Sequence, residues 1–132
     1  MTKEEALDLY LSSGMEVAMH GYRHFSLASV DTALAIEDIL TDRKALENMF
    51  GRVINGLAYA NGSYTDEIIE LLKKIGIEWA RVVGQSEKFD LPTDWMKWQG
   101  TCHHDNPRLM ELAKEFVEQK AHWYYWGRNL QL

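Results

Sequence analysis

The sequence predicts an α/β fold in which parallel strands alternate with helices. Helix-length segments carry apolar residues three and four positions apart, and they alternate with short runs rich in apolar and β-branched residues. This order requires crossover connections, which set successive strands parallel to one another. No linker, repeat or low-complexity tract interrupts the 132 residues, so we expect a single domain over residues 1–132.

Four helices follow from the spacing of the apolar residues. Gly14, Gly51 and Gly76 come directly after the first three, where glycine favours a helix end. Residues 63–66 offer capping groups for the third helix, and Pro107 suits the first turn of the fourth. The predicted helices cover residues 2–13, 30–50, 66–75 and 106–120.

Four strands alternate with these helices. The predicted strands cover residues 15–19, 53–59, 77–83 and 122–126. Residues 84–106 show no sustained periodicity, so we expect a long loop there, and structureless loops of this length are commonly functional.

Residues that follow the strands are the candidates for a site. Parallel strands end at the same edge of a sheet, and ligands bind beyond that carboxyl edge. His20 and His24 follow the first strand, residues 58–62 follow the second, and Gly84 and Arg128 follow the third and fourth. We expect these four segments to converge.

Composition excludes several classes of function. Lys and Arg number 14 against 20 Asp and Glu, a net charge of −6, and the basic residues are scattered, so we expect no nucleic-acid partner. No run of about 18 apolar residues predicts a membrane span. Cys102 is the single cysteine, which suits a reducing compartment. Because the acidic, amphipathic start does not resemble a signal peptide, we expect a cytoplasmic protein.

The histidine pair His20-Gly-Tyr-Arg-His24 has two interpretations. Two neutral imidazoles held close together at a strand end are good ligands for zinc or a similar transition ion, and Gly21 allows a sharp turn between them. Alternatively, both are turn residues bonded to backbone or water. Spacing and position leave both interpretations open.

Several segments resemble the polysaccharide deacetylase (NodB-homology) family, in the same order along the chain. The histidine pair looks like the family's H-[S/T]-x-x-H metal motif, and residues 57–64 (LAYANGSY) are similar to its R-P-P-Y-G region. Residues 67–77 resemble the helix that follows, and residues 89–95 (FDLPTDW) resemble its D-x-x-D-W element. Residues 101–116 and 123–127 resemble the last helix and strand of one branch of the family.

This resemblance implies an incomplete (β/α) barrel and hydrolysis of acetyl groups on carbohydrate with a divalent metal, zinc first and cobalt or nickel as alternatives. It implies that His20 and His24 bind the metal and that Asp94 orients a catalytic partner. Trp95 would pack against the acetyl group. Tyr59, in the segment similar to the R-P-P-Y-G region, is expected to contact the carbohydrate substrate. The flat apolar faces of Trp95 and Trp98 could stack on a sugar ring, and the alternative is that these loop tryptophans close the end of a barrel.

Three departures separate the sequence from the family pattern. The strand that ends in an Asp-Asp pair, which supplies the base and a carboxylate ligand, is not found before the first helix. Ala58 stands at the motif arginine, and Arg128 stands at the histidine that acts as general acid. A barrel without its first strand leaves an open edge, so we expect a homo-oligomer. The alternative function is a non-catalytic module that binds carbohydrate or a protein.

Four further residues carry alternatives of their own. His103, His104 and Asp105 could supply replacement ligands or an acid, but at most one is expected to join the site, because adjacent residues usually point in different directions; helix-entry capping by Asp105 or Asn106 is the alternative. Cys102 is expected to be a packing residue, since no oxyanion motif or third catalytic partner accompanies it.

Overall fold

The computed structural model describes residues 1–119 and the backbone of residues 125–126. The helices are α1 (Lys3–Ser12), α2 (Thr32–Phe50), α3 (Asp66–Lys74) and α4 (Leu109–Gln119). The strands are β1 (Gly56–Ala58), β2 (Trp79–Gln85), β3 (Trp98–Gly100), β4 (Cys102–His103) and β5 (Tyr125–Trp126). Short 3₁₀ turns lie at Leu27–Ser29, Ala60–Gly62 and Trp95–Lys97.

The helices begin at side chains that satisfy their first free N–H groups. Thr2 forms a capping box with Glu5, Asp31 accepts from the N–H of Ala33, and Thr65 accepts from the N–H of Ile68. The four predicted helices are confirmed, and three of them begin within two residues of the prediction. The last begins at Leu109 instead of residue 106, because the Asn106 side chain accepts from the N–H of Arg108 and holds a turn there.

Every strand pairing among the described residues is parallel. One sheet has the order β1-β2-β3, and β4 pairs with β5 in a second sheet. Met19 adds a single parallel bridge to Leu57 on the free side of β1. The predicted α/β class with parallel strands is therefore confirmed.

Two predictions of local structure are wrong in part. The strand expected over residues 15–19 is reduced to the bridge at Met19. The loop expected over residues 84–106 contains the end of β2, a 3₁₀ turn, β3 and β4. These strands are two or three residues long, too short for alternation to show in the sequence. Of the strand predicted over 122–126, residues 125–126 form β5, and residues 122–124 lie outside the described part.

The core lies between the β1-β2-β3 sheet and the helices α2 and α3. Its members are apolar and at most 5% exposed, and they include Met19, Leu27, Ile39, Ile54, Leu57, Ile68, Leu72, Ala80, Val82 and Met96. Burial of these side chains fixes the strands, and hence their carboxyl ends. Among the described helices, none combines the length and apolar character needed to cross a membrane.

Candidate metal centre

His20 and His24 face each other at the carboxyl edge of the sheet. The Nε2 atoms of the two rings lie 3.1 Å apart, and the ring centroids are 4.7 Å apart at 78°. Both side chains are accessible to solvent. The loop between them therefore brings the two predicted ligands together.

The end of the strand pairing at His20 determines how this ring is oriented. The N–H of Ala58 donates to the carbonyl of Met19, and in a continued parallel ladder the carbonyl of Ala58 would accept from the N–H of Gly21. Instead, Nδ1 of His20 lies 2.8 Å from that carbonyl. Because a carbonyl only accepts, Nδ1 carries the hydrogen, and Nε2 keeps the lone pair that a metal would need.

Asp42 on α2 takes over the backbone N–H groups that the ladder leaves free. Its Oδ2 accepts from the N–H groups of both His20 and Gly21, each at 2.8 Å. These are bonds to a carboxylate, which are stronger than bonds between neutral groups. Asp42 thus fixes the start of the histidine loop to a rigid helix.

Asp38, one turn earlier on α2, fixes the middle of the same loop. It is fully buried, and its Oδ1 accepts from the N–H of Arg23 at 3.0 Å. Its Oδ2 has no hydrogen-bond partner among the described residues. That oxygen would lie 3.1 Å from a Cβ placed on Gly21, whose φ of +88° also favours glycine. The loop therefore packs closely over a buried carboxylate.

His24 has a left-handed backbone conformation, with φ of 58°. This conformation is uncommon for a residue other than glycine and costs about 1–2 kcal/mol. Unfavourable backbone angles concentrate at functional sites, where the surrounding contacts enforce them. Here the contacts from α2 hold the loop that turns His24 back toward His20.

The 3.1 Å separation fits two ligands of one ion. Nitrogens about 2.0–2.1 Å from a zinc ion lie roughly 2.9 Å apart at a right angle and roughly 3.3 Å apart at the tetrahedral angle. Among residues 1–119, no third imidazole, thiol or carboxylate joins the pair to make a three-ligand group. The described residues therefore fit a metal at two coordination positions.

The segment after β1 lies against the histidine loop. The Asn61 side chain donates to the Ser26 hydroxyl, and the Ser63 hydroxyl accepts from the N–H of Ala28. Gly62 has φ of +65°, and a Cβ there would lie 2.6 Å from Cγ2 of Val83. The pattern Asn-Gly-Ser in this segment thus serves a tight turn that ties the two loops together.

The other predicted site residues lie around the next loop. Tyr59 is 1% exposed, and its hydroxyl has no partner among the described residues; burial, with the nearby Tyr64 and Asp94, raises its pKa. Asp94 is exposed and accepts from the N–H of Met96 through Oδ1. The roles of Tyr59 and Asp94 stay predictions.

The two tryptophans of this loop pack edge to face. Trp95 is 45% exposed, and its ring centroid lies 5.3 Å from that of Trp98, which in turn contacts Trp79. A cavity of about 460 Å³ opens beside them. Most of the residues that line it have polar or charged side chains, and the full set is Ser86, Lys88, Asp90, Leu91, Pro92, Thr93, Asp94, Lys97, Trp98 and Gln99. Asp94 and Trp98 therefore share one cavity.

The segment 102–105 differs from the expectation in one respect. The rings of His103 and His104 have centroids 4.1 Å apart and are tilted by 46°, and Asp105 contacts His103, so the three side chains do not diverge. Adjacent side chains were expected to point in different directions, but the turn here brings all three to the same side. Cys102 is fully buried, and burial raises the pKa of its thiol, as expected of a packing residue.

Asp38 and Asp42 are the residues that the sequence interpretation missed. A signal for them exists: together with Ala35 and Ile39 they fall on one helical face, so two acids interrupt the apolar stripe of α2. A charge within a buried stripe requires a specific partner. Arg128, by contrast, lies outside the described residues.

Comparisons with known proteins agree with this fold. The fold and the histidine pair define a parallel α/β protein with its candidate site at the carboxyl edge of the strands. The sequence profile of the family described as "Polysaccharide deacetylase" matches residues 2–80, so the chain belongs to the polysaccharide deacetylase family. A comparison with curated protein sequences finds no match.

Two solved structures share the fold. The deacetylase PplD of Streptococcus pyogenes, in complex with acetate, has a TM-score of 0.60 at 14% identity, over 64% of this chain and 37% of that one. A polysaccharide deacetylase from Bacillus cereus has a TM-score of 0.62 at 20% identity, over 75% of this chain and 31% of that one. The chain thus spans about a third of these relatives, whose (β/α) barrel fold it shares in part.

Proposed function

We propose that the chain binds a divalent transition ion through His20 and His24 and acts in the hydrolysis of acetyl groups on carbohydrate. The observation that carries the proposal is the 3.1 Å approach of the two Nε2 atoms, with Nδ1 of His20 bound to a backbone carbonyl. Zinc is the first candidate, and cobalt and nickel suit the same donors. Membership of the deacetylase family supports the reaction class.

In the proposed reaction, the bound ion and the surrounding residues have separate roles. A bound divalent ion supplies Lewis-acid polarisation of the acetyl carbonyl and lowers the pKa of a bound water. Asp42 and Asp38 hold the loop, and the carbonyl of Ala58 keeps His20 in the tautomer whose Nε2 carries a lone pair. Asp94 orients a catalytic partner, as the family motif implies.

Carbohydrate would bind along the loop that follows β2. The 460 Å³ cavity has the size of a small-molecule site and carries charged groups, Asp94 among them, beside the face of Trp98. Trp95 adds an exposed apolar surface that can stack on a sugar ring. Tyr59 is buried in the segment after β1 and is not among the residues that line this cavity. The acetate bound by the Streptococcus pyogenes relative is the product that acetyl hydrolysis releases.

Metal content tests the first half of the proposal. The purified chain is compared with the double variant His20→Ala/His24→Ala by elemental mass spectrometry after loading with zinc. We expect the double variant to lose one equivalent of metal per chain. Tyr22→Ala is the matched control, because Tyr22 lies in the same loop with its side chain 60% exposed, and it should keep the full content.

Acetate release from an acetylated chito-oligosaccharide tests the second half. We expect release by the zinc-loaded chain and none by the double variant, with circular dichroism showing that both are folded. Equal metal content in the two proteins would contradict the site. Metal binding without acetate release would instead favour the second candidate, a non-catalytic carbohydrate-binding module, which the lack of a third ligand in residues 1–119 supports.

We also propose that the chain self-associates. Within the described residues, Met19 pairs only with the β1 side and β3 pairs only with β2, so the sheet has open edges. Open parallel edges expose unpaired N–H and C=O groups, which favour pairing with another chain. Light scattering at tens of micromolar should show a dimer or larger species, and a monomer would contradict the proposal.

A further inference from the structure

A second group of potential metal ligands lies in the turn that follows β4. The ligand atoms of His103, His104 and Asp105 all lie within 4.8 Å of one another. The centroids of the two imidazole rings lie 4.1 Å apart with the ring planes tilted by 46°, and Nδ1 of His103 contacts Oδ1 of Asp105. Neither His20 nor His24 belongs to this group, so it is distinct from the site proposed above.

Buried and part-buried hydrogen bonds hold this turn in place. Asn106 is 6% exposed, and its amide donates to Gln85 at 2.7 Å and to Glu87 at 2.9 Å. The Gln85 side chain also accepts from the N–H of His103 at 3.0 Å. The N–H of Asn106 donates back to the carbonyl of His103 at 3.1 Å, which closes the turn. These bonds fix the backbone of the turn that carries the three side chains.

The surroundings suit a cation with open coordination positions. The His103 side chain is 19% exposed and that of Asp105 is 73% exposed, so the group is anchored on one side and open to solvent on the other. Two imidazoles and one carboxylate are the donors preferred by zinc, cobalt, nickel and copper, whereas calcium and magnesium prefer oxygen alone. Water would complete the coordination.

We propose that His103, His104 and Asp105 form a second transition-metal site, separate from His20 and His24. This proposal rests on three ligand groups that lie close together on a turn, which Asn106 and Gln85 hold in place. The site is solvent-open and has three protein ligands. The structure thus assigns the chain two independent metal-binding positions at the ends of its strands.

Cobalt titration of the full chain tests this site apart from the first one. The starting protein is His20→Ala/His24→Ala, whose visible absorption and bound cobalt are measured as Co²⁺ is added. We expect one equivalent of Co²⁺ with ligand-field bands from nitrogen and oxygen donors. Adding His104→Ala or Asp105→Asn should weaken this binding by about 10- to 100-fold or more, since even partners outside the first shell cost that much.

Asp8→Asn in the same background is the matched control, because Asp8 is an exposed acid on α1 and should leave the titration unchanged. Circular dichroism checks that each variant is folded, and Asp105→Asn preserves the shape of the side chain where His104→Ala does not. Absence of cobalt binding by the folded double variant would overturn the proposal, as would binding that persists in both added variants. Neither result bears on His20 and His24, whose test uses the otherwise native chain.

Discussion

Replacement of Asp42 by alanine tests whether α2 positions the histidine loop. The change removes two hydrogen bonds of 2.8 Å, from the N–H groups of His20 and Gly21. Bonds to a charged group contribute about 1.5–3 kcal/mol each, but Asp42 is half-buried and water can replace part of the loss. We therefore expect the free energy of unfolding to fall by about 2–4 kcal/mol.

The metal affinity of the His20–His24 site should fall in parallel. Without Asp42 the loop samples other conformations, and binding must first restore the approach of the two rings. Loss of a group that orients a ligand costs about 10- to 100-fold in affinity, and at 1.36 kcal/mol per factor of ten that is about 1.4–2.7 kcal/mol. Urea unfolding gives the first quantity, and zinc competition with a chromophoric chelator gives the second.

Two further variants make this result interpretable. Asp31→Ala removes the cap of the same helix, a bond to the N–H of Ala33, and should cost about 0.5–2 kcal/mol of stability without changing metal affinity. Asp42→Asn keeps an acceptor oxygen and should fall between wild type and alanine. If folded Asp42→Ala binds zinc at the His20–His24 site within twofold of wild type, the positioning role is refuted.

Three other substitutions give separate checks. Gly62→Ala should lower the free energy of unfolding by about 2–4 kcal/mol, because φ is +65° and the new Cβ would overlap Val83; a loss under about 1 kcal/mol in urea unfolding would contradict this. Tyr59→Phe removes a buried, unpartnered hydroxyl, so stability should be kept or rise by about 1 kcal/mol, while exposed Tyr22→Phe should change nothing. Burial raises the pKa of Tyr59 in the folded protein, so its ionisation does not affect the free energy of unfolding below the pKa of the unfolded chain and lowers it as the pH rises past about 10. The Tyr59→Phe variant lacks this group, so it should lose less stability above that pH in pH-dependent unfolding. Trp95→Ala should weaken binding of chito-oligosaccharides in calorimetry with unchanged thermal stability, and unchanged binding would remove Trp95 from the site.

Local sequence patterns predicted most of the regular structure. Helices such as α2 and α3 are long, periodic and capped by Asp31 and Thr65, so their ends follow from neighbouring residues alone. Short elements escaped because they have too few residues to show a period. The strand expected over residues 15–19 keeps one pair, at Met19, and the pairing goes no further because Asp42 takes the N–H groups of the two residues that follow. That competition comes from a residue more than twenty positions away.

In the predicted site, too, the sequence identified what depends on nearby residues and missed what depends on distant ones. His20 and His24 could be selected from spacing, strand order and family resemblance. Asp38 and Asp42 could not be assigned a role, because their partners are backbone N–H groups 15 to 22 positions away in the chain. The turn at residues 103–106 was likewise misjudged, since its shape depends on contacts from Gln85 and Glu87.

The sequence by itself determined the parallel α/β class, the ends of the longer helices and the resemblance to polysaccharide deacetylases, because each depends on residues close together in the chain. Only the tertiary structure decided that the two imidazoles meet at 3.1 Å and that acids of α2 hold them. It also decided that a second group of histidines and aspartate gathers after β4. These arrangements depend on how α2 and the strands pack, and packing is set by the whole core at once.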